Sequence, residues 1–409
     1  MNKIYETIMC CHICGSNNIE EVLDLGEQPP ANSLYRSGEE KPPAVPLRLI
    51  YCHECSTVQL GEDVDPEYLF GEYLWVTGTS STAKQYSYEF AKKALSQLEK
   101  DKNSSYVVEI ASNDGTFLKR FKEAGCSILG IDPAKNIADL ALKNGVPTLA
   151  DFFTESLAKK LASEKKADII FARNVIPHVK EIHSVINGIS ILLDNDGVGI
   201  IEVHNAGLIL EELHYDYIYH EHLFYYTLKT IVGLIELYGL YVYDVILSPI
   251  SGGSWVVYFS KNKKAKSVEL IRHEKIEMEK NLNSFNRWLD FSNQVTKHAL
   301  KLKQMVLESG NKIPAYGASA RSSTLLNFCG INHEHISVVI DKNPMKHGLI
   351  TAGSNIPVVS FTEGLIEIKR AEKILLLAWN FQEEIINDLR EAGFNGNFIL
   401  PLPGNPHII

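Results

Sequence analysis

Tyr106-Val-Val-Glu-Ile-Ala-Ser-Asn-Asp-Gly115 combines the pattern of a buried β-strand with a tight polar turn, and an amphipathic helix is predicted directly after it. Such a strand, turn and helix present backbone amides to a ligand at the carboxyl edge of a parallel sheet. A second predicted strand, Ser127–Ile131, leads into Asp132, about twenty residues beyond the turn, where a carboxylate can accept hydrogen bonds from ribose hydroxyls. The turn lacks the glycine spacing of the dinucleotide fingerprint, and its acidic side chains suit a ligand with an amino group and a positive charge.

The alternation of strand and helix continues through the middle of the chain and predicts a doubly wound sheet. Further strands are predicted at 147–151, 168–174, 197–203, 240–247 and 254–260. The last two form an antiparallel pair at the sheet edge, which is typical of class I methyltransferases. Asn174, His178 and His204 follow or end the fourth and fifth strands and so reach the ligand edge, although a backbone carbonyl would satisfy either imidazole equally well.

A row of proton-handling side chains follows the fifth predicted strand, at Tyr219, His220, Glu221 and His222. These residue types move protons near neutral pH because burial and neighbours bring their pKa values into the working range. The row lies on an insertion, residues 206–227, that we expect to sit over the ligand. A polar helix start that happens to be rich in His and Tyr is the alternative interpretation.

Two CxxC motifs near the N-terminus, Cys11-His-Ile-Cys14 and Cys52-His-Glu-Cys55, predict a closed structural zinc site in a zinc-ribbon-like region. Short strands predicted on both sides of the second motif support this interpretation. Cys10, His12 and His53 rank below the paired cysteines because they break the symmetry of the two motifs. Unmetallated turns or a redox pair are the alternatives, and the redox pair lacks the adjoining thioredoxin-like pattern.

An aromatic, glycine-bearing loop at Asp65–Ser81 precedes a helix predicted at Thr82–Lys100. Tyr73 and Thr77 place hydroxyl groups beside Trp75, just ahead of the central sheet, where an active-site wall would lie. The alternative is an ordinary linker that packs its tryptophan.

The C-terminal part begins after a charged linker, Lys261–Lys266, and a helical region predicted at 268–309. Residues 313–324 then repeat the strand, small-residue turn and helix, a second phosphate-binding geometry. Ser319, Arg321 and Ser322 could donate hydrogen bonds to a diphosphate there, whereas simple N-capping of the helix is the alternative. Strands predicted at 336–341, 373–378 and 398–401 complete a second α/β domain.

Composition narrows the function classes further. The 409 residues carry 40 basic and 50 acidic side chains, a net charge of -10, without the Lys/Arg cluster of a nucleic-acid-binding protein. Residues 1–9 lack an apolar core followed by a small-residue cleavage site, so we expect no signal peptide there, and no apolar run approaches the roughly 20 residues needed to span a bilayer. The odd count of 7 cysteines argues against a disulfide framework. We therefore expect a cytoplasmic protein that binds neither nucleic acid nor membrane and is a monomer or weak homodimer.

Taken jointly, the motifs resemble the sugar C-methyltransferase family over nearly the whole chain. They are the two CxxC pairs, Glu109-Ile-Ala-Ser-Asn-Asp-Gly115, Asn174-Val-Ile-Pro-His178, Ile218-Tyr-His-Glu-His222, Gly252-Gly-Ser254, Tyr316-Gly-Ala-Ser-Ala320, Thr324-Leu-Leu-Asn327 and Asp341-Lys-Asn-Pro344. The resemblance implies an α/β fold with a zinc-binding domain (1–72), a Rossmann-like S-adenosylmethionine (SAM) domain (73–260) and a C-terminal Rossmann-like domain (261–409). It also implies methylation of a carbon next to a ketone, commonly C3, in a nucleotide-linked 4-keto deoxysugar.

The resemblance carries specific residues onto this chain. The implied catalytic residues are Tyr73, Tyr219, Glu221 and His222, and the implied zinc ligands are Cys11, Cys14, Cys52 and Cys55. The cofactor residues are Glu109, Ala111, Ser112, Asn113, Asp114, Gly115, Asp132, Asn174 and His178. Substrate contacts are expected at Thr77, Gly252, Gly253, Ser254, Tyr316, Ser319, Arg321, Ser322 and Asn343. Two residues depart from the family: Ala111 stands where a glycine is usual, and Arg321 where a lysine is frequent.

The chemistry requires a base and a group that stabilises an enolate. We expect His222 to be the base because its ordinary pKa lies near neutrality, with Glu221 orienting it or stabilising its protonated form. Tyr219 or Tyr73 would hydrogen-bond the enolate oxygen, and no catalytic metal is required. Methylation of oxygen or nitrogen on a nucleotide sugar and non-catalytic nucleotide binding remain alternatives, and the sequence leaves the sugar, the base and the role of His220 open.

Overall fold

The computed structural model describes residues 4–70, 77–79, 81–248 and 253–409. Three residues singled out from the sequence, Tyr73, Trp75 and Gly252, lie outside these ranges. The predicted fold class is confirmed: a cysteine-bearing N-terminal region precedes two α/β sheets.

The N-terminal region is built from short antiparallel strands. They are β1 (Tyr5–Thr7), β2 (Ile19–Gln28), β3 (Val45–Cys52), β4 (Val58–Leu60) and β5 (Glu62–Val64), followed by helix α1 (Pro66–Phe70). β2, β3 and β4 lie side by side, and β1 pairs with β5. The tight turn after β3 carries the second cysteine pair, so the strands hold both pairs at one end of the sheet.

The central sheet follows the pattern predicted from residues 106–115. Its strands are β6 (Tyr106–Ile110), β7 (Ser127–Ile131), β8 (Thr148–Leu149), β9 (Ala167–Arg173), β10 (Leu193–His204), then, after the two-residue strand β11 (Phe224–Tyr225), β12 (Tyr241–Ser248) and β13 (Ser254–Ser260). The order is β12-β13-β10-β9-β6-β7-β8, with β12 and β13 antiparallel at one edge as predicted. The helices are α2 (Ser81–Leu95), α3 (Leu118–Glu123), α4 (Lys135–Lys143), α5 (Glu155–Glu164), α6 (Ile182–Leu192), α7 (Ala206–Glu212) and α8 (Leu228–Glu236).

The long helical region predicted at 268–309 is two helices, α9 (Val268–Glu279) and α10 (Phe285–Leu307). The break comes where Asn281 adopts a positive φ of 51° and Ser284 caps the second helix by accepting a hydrogen bond from the Arg287 amide. A residue in the left-handed region cannot continue a right-handed helix, so the chain turns there.

The C-terminal sheet has the order β16-β15-β14-β17-β18-β19, which is the 3-2-1-4-5-6 order of a doubly wound nucleotide-binding fold. Its strands are β14 (Ile313–Tyr316), β15 (Ile336–Ile340), β16 (Val358–Val359), β17 (Lys373–Leu376), β18 (Asn397–Leu400) and β19 (His407–Ile408), and its helices are α11 (Ala320–Phe328), α12 (Phe361–Arg370) and α13 (Gln382–Glu391). The sequence pattern missed β16 and β19 because two residues are too short to show a periodicity.

Residues 213–227, which we name the hub segment, lie where the three regions meet and are almost entirely buried. β11 extends the N-terminal sheet beside β4, and the Thr324 hydroxyl of α11 donates to the Ile218 carbonyl at 2.7 Å. The predicted proton-handling row is therefore held by contacts from both flanking regions. Among the described helices, none is long and apolar enough to cross a membrane.

Candidate functional site

Four cysteines converge at the end of the N-terminal sheet. The Sγ atoms of Cys11 and Cys55 lie 3.6 Å apart, those of Cys14 and Cys52 lie 3.5 Å apart, and all four lie within 4.8 Å of one another. A tetrahedral zinc ion with Zn–S bonds near 2.3 Å needs sulfur atoms about 3.8 Å apart, so the donor set fits zinc. The predicted ligands are confirmed as one cluster.

The two histidines considered as alternative zinc ligands, His12 and His53, contact carboxylates. His12 Nε2 lies 3.2 Å from a carboxylate oxygen of Asp63, and His53 Nε2 lies 3.0 Å from Glu20. Both imidazoles contact these carboxylates instead, and the cysteine cluster found among the described residues contains neither of them.

The predicted cofactor corner lies at the carboxyl ends of β6 and β7. Ala111, Asn113 and Gly115 all have positive φ, at 54°, 49° and 78°, so the turn curls back on itself after β6. Asp132, at the end of β7, accepts hydrogen bonds from the Asn113 amide at 2.9 Å and the Ala134 amide at 3.0 Å. The carboxylate expected to meet a ribose thus also fixes the turn.

The aromatic loop contacts the same turn. The Thr77 amide donates to the Asn113 side chain at 2.9 Å, and the Gly78 amide donates to Asp114 at 3.0 Å. A Cβ on Gly78 would stand 2.2 Å from an oxygen of Asp114, so this close approach requires glycine. Thr77, predicted as a substrate contact, is placed against the cofactor turn.

Three buried polar atoms at this edge have no hydrogen-bond partner among the described residues. They are Glu109 Oε2, Ser112 Oγ and Asn174 Oδ1. Buried polar atoms are normally paired, and an unpaired one costs roughly 1–3 kcal/mol. Burial also raises the pKa of the Glu109 carboxyl well above its ordinary value. A ligand rich in polar groups, such as SAM, would satisfy these atoms, so the residues present fit the predicted cofactor.

His222 is the last member of the proton-handling row, and both of its ring nitrogens are hydrogen-bonded. Its Nδ1 lies 2.7 Å from the Tyr217 carbonyl oxygen, and its Nε2 lies 2.9 Å from the Tyr219 hydroxyl. Since a carbonyl can only accept, the proton of the neutral ring sits on Nδ1, and Nε2 accepts from Tyr219. Tyr219 therefore donates its hydroxyl proton to His222.

Two further histidines pack against this ring. The ring centroids of His178 and His204 lie 4.7 and 4.9 Å from that of His222, both edge to face. Burial lowers the pKa of His178 to about 4 and that of His204 to about 3, so both are neutral at pH 7. His178, predicted as a cofactor residue, is placed beside the proposed base.

The expectation of a near-neutral pKa for His222 is wrong. Burial, followed by repulsion from His178 and His204, lowers this pKa well below its ordinary value. Glu221 takes the opposite course: burial raises the pKa of its carboxyl to about 7. The group with a pKa near 7 is therefore Glu221 and not His222, the residue expected from the sequence.

Glu221 does not orient His222. Its carboxylate accepts a hydrogen bond from the side-chain amide of Asn32, and the Tyr217 carbonyl and Tyr219 hydroxyl orient the imidazole instead. Glu221 lines a small cleft together with Asp63, Val64, Pro66, Leu69, His178, Lys180, His220 and Leu223. The cleft lies between the N-terminal region and the hub segment.

Arg321 departs from its predicted role as a diphosphate donor. Its Nε donates to Asp216 Oδ2 at 2.9 Å, and its guanidinium carbon lies 3.9 Å from the centroid of the Tyr217 ring. Trp379 Nε1 donates to the same carboxylate oxygen at 2.9 Å. Asp216 is 1% exposed, so Arg321 is committed to a buried ion pair that holds α11 against the hub segment.

The other predicted substrate residues are dispersed. Ser319 caps α11 by accepting from the Ser322 amide at 3.2 Å, and both serines line a second small cleft with Ala31 and Leu34. Asn343 accepts from the Met345 amide at 3.0 Å and so caps a short turn. Gly253 directly precedes β13 and Ser254 begins it, where the buried Ser254 hydroxyl has no partner among the described residues. Tyr316 is buried in β14.

Sequence reasoning missed Asn32, Asp216 and Trp379, because each acts through a contact more than a hundred residues away along the chain. It also left His220 without a role. The His220 Nε2 lies 3.3 Å from the Val45 carbonyl oxygen and 3.2 Å from that of Pro46, so this imidazole ties the hub segment to β3.

Three family models match the chain. They are "Putative zinc binding domain" at residues 11–70, "Methyltransferase domain" at 82–245 and "C-methyltransferase C-terminal domain" at 249–403. C-methyltransferase NovU of Streptomyces niveus is 30% identical over 418 aligned positions, which cover 100% of this chain and 99% of NovU.

Two solved structures are similar over a smaller part. Magnesium protoporphyrin IX methyltransferase of Synechocystis, bound to SAM, is 11% identical with a TM-score of 0.34 and matches 44% of this chain and 79% of its own. The 1,6-didemethyltoxoflavin N1-methyltransferase of Burkholderia thailandensis is 18% identical with a TM-score of 0.35, over 48% of this chain and 84% of its own.

The full-length relative and the three family models confirm the family and the enzyme class predicted from the sequence. Together with the cysteine cluster, they also confirm the two predicted cofactors, SAM and zinc. The chain belongs to the C-methyltransferase family and is a SAM-dependent methyltransferase with a zinc-binding N-terminal region.

Proposed function

We propose that the enzyme methylates the carbon next to the ketone, at C3, of a nucleotide-linked 4-keto deoxysugar. The observation that carries the proposal is the hydrogen-bonded Tyr219–His222 pair beside the Glu221 cleft. Enolate formation requires a base held in position to remove a proton from carbon, and this pair can act as one. Membership of the C-methyltransferase family supports a carbon acceptor.

The cofactor would be held at the carboxyl edge of the central sheet. Glu109, Ser112 and Asn174 have unpaired buried atoms there, and Asp132 lies beside them on the turn. When bound, SAM supplies an electrophilic methyl group. Holding it close to the acceptor carbon would supply much of the rate, because positioning converts a bimolecular reaction into an effectively unimolecular one.

We propose His222 as the base, acting through Tyr219. The Tyr219 oxygen takes the proton from the sugar carbon while its own proton moves to His222 Nε2. The electron pair of the C–H bond forms the C=C bond of the enolate, and the π pair of the ketone moves to its oxygen. The Tyr217 carbonyl, hydrogen-bonded to Nδ1–H at 2.7 Å, stabilises the imidazolium that forms. Since Tyr219 already donates to His222, the proposed donor to the enolate oxygen is Tyr73.

Glu221 is a second candidate for the base, favoured by its pKa of about 7 and its place in the cleft. A carboxylate base that acts together with a neutral imidazole is a combination that other enolising enzymes use. Two variants distinguish these assignments. If His222 is the base, His222→Asn stops proton abstraction; if Glu221 is the base, Glu221→Gln stops it.

The nucleotide is proposed to lie against the C-terminal sheet. Asp341, at the end of β15, accepts from the Ala318 and Asn343 amides, both at 2.8 Å, in the arrangement that Asp132 makes with its own turn. Carboxylates so placed can meet ribose hydroxyls in nucleotide-binding sheets. The cleft lined by Ser319 and Ser322 would admit the diphosphate in place of the Arg321 contact expected from the sequence.

The proposal is tested by incubating the enzyme with SAM and a panel of nucleotide-linked 4-keto deoxysugars. We expect one sugar to gain the mass of one CH2 and to show a methyl NMR signal bonded to carbon. A methyl signal bonded to oxygen or nitrogen would instead support the alternative, in which a base deprotonates a hydroxyl and no enolate forms.

A further inference from the structure

Asn32 lies on the loop between β2 and β3, 189 residues before the side chain that it contacts. Its amide nitrogen donates a hydrogen bond to Glu221, and no other hydrogen bond reaches that carboxylate from the described residues. Glu221 is 7% exposed, whereas Asn32 is exposed to solvent. The contact thus lies at the border between the buried carboxylate and the solvent.

The Asn32 loop is fixed from the opposite side by the C-terminal region. Tyr35 and Ile350 exchange two backbone hydrogen bonds, at 3.1 and 2.8 Å, and the Tyr35 hydroxyl donates to the Asn355 side chain at 2.7 Å. Ala31 and Leu34 also line the cleft at the start of α11. One loop of the zinc-binding region therefore separates the Glu221 cleft from the cleft proposed for the diphosphate.

The charged and titratable groups around Glu221 do not share its titration range. Burial acts to raise the pKa of Asp63, but its contacts with His12 at 3.2 Å and with Lys180 at 3.0 Å lower this pKa overall. The same ion pair with Asp63 raises the pKa of Lys180. Burial lowers the pKa values of His178 and His220 to about 4. Among the described groups that line this cleft, Glu221 alone has a pKa near 7.

We propose that Asn32, supplied by the zinc-binding region, is a positioning residue for methyl transfer. It orients the Glu221 carboxylate toward the cleft. The inference rests on the proposed function, because it assumes that Glu221 acts on the sugar. An amide donor favours the charged form of its carboxylate partner, so Asn32 also opposes the effect of burial on the Glu221 pKa.

The direct test follows the protonation of Glu221 by infrared spectroscopy, with its band identified as the protonated-carboxyl signal that Glu221→Gln removes. The wild-type midpoint is expected near pH 7. Asn32→Leu should raise it by about one pH unit, the effect of losing one hydrogen bond to a charged group. Asn32→Asp should raise it further through like-charge repulsion, and Ser33→Ala, on the same loop, should leave it unchanged.

The same shift should govern activity with the panel sugar that gains a methyl group. The kcat/KM of Asn32→Leu should fall about tenfold at pH 6 and less than twofold at pH 9, as a one-unit shift of a required carboxylate dictates. Zinc content and SAM affinity equal to those of the wild type show that the fold is retained. If Asn32→Leu fails either check, Asn32→Ser, too short to reach Glu221, is measured in its place.

An unshifted infrared midpoint, or a loss of activity that is equal at every pH, overturns the inference about Asn32. Failure of the proposed function is recognised separately. In that case no panel sugar gains a C-methyl group. A Glu221→Gln variant that keeps the wild-type pH profile, while a panel sugar is still methylated on carbon, overturns the inference about Asn32 instead, because Glu221 then does not act on the sugar.

Discussion

Replacing Arg321 by Met should destabilise the junction between the C-terminal region and the hub segment. Asp216 is 1% exposed, and the Arg321 Nε contact at 2.9 Å supplies the one cation that is paired with it among the described residues. Removing one partner of a buried ion pair costs about 3–5 kcal/mol, since the remaining charge stays buried. At roughly 2–4 °C per kcal/mol for a domain of this size, the thermal midpoint should fall by about 6 °C or more.

The loss should depend on pH in a defined direction. Burial raises the pKa of Asp216, and Arg321 counteracts that effect, so the pKa in Arg321→Met should rise further. A carboxyl whose pKa is higher in the folded state than in the unfolded state adds stability at low pH, which is lost as the pH rises through the folded value. The destabilisation should therefore be larger at pH 8 than at pH 5.

Thermal unfolding of four proteins measures this prediction: wild type, Arg321→Met, Asp216→Asn and the double variant. The double variant should recover most of the lost stability, because it no longer buries an unpaired charge. A midpoint within about 2 °C of the wild type for Arg321→Met would refute the reasoning. If Arg321 instead binds the diphosphate, the same variant should raise KM and leave the unfolding midpoint unchanged.

Three further predictions concern the metal, the cofactor and the strained turn. The purified enzyme should contain about one zinc ion per chain, and Cys52→Ser should lower that content; a metal-free but fully folded wild type would rule out the structural site. Asp132→Ala should weaken SAM binding at least about tenfold by calorimetry, since it removes the proposed ribose acceptor and loosens the Asn113 turn; unchanged affinity would show that the ribose binds elsewhere. Ala111→Gly should raise stability by roughly 0.5–1 kcal/mol because it relieves a φ of 54°, whereas a lower unfolding midpoint would show that the Ala111 methyl packs favourably.

Local patterns predicted the sheets and the metal site well. The strand and turn at residues 106–115 were predicted correctly, because a parallel strand followed by a helix has few structural solutions. Each CxxC motif places two cysteines on one tight turn, and the pairing of β2 with β3 brings the two turns together. The interrupted helix after Glu279 escaped because its break depends on one residue, Asn281, in a left-handed conformation.

Contacts made across the fold could not be predicted from local patterns. Adjacent residues of an irregular segment point in different directions, so the sequence neighbours Glu221 and His222 take separate partners, Asn32 and Tyr217. The same independence explains Arg321: its place at a helix start suggested an anion site, but a buried aspartate 105 residues earlier neutralises it.

The central claim is that the enzyme forms an enolate, and proton exchange measures this most directly. The sugar that gains a methyl group is incubated in D2O with the enzyme and S-adenosylhomocysteine, which has no methyl group to transfer, and NMR follows the carbon next to the ketone. We predict deuterium incorporation at that carbon by the wild type, and a loss of it in His222→Asn that exceeds any loss in SAM binding. Exchange that is absent from the wild type, or undiminished in both His222→Asn and Glu221→Gln, would contradict the account.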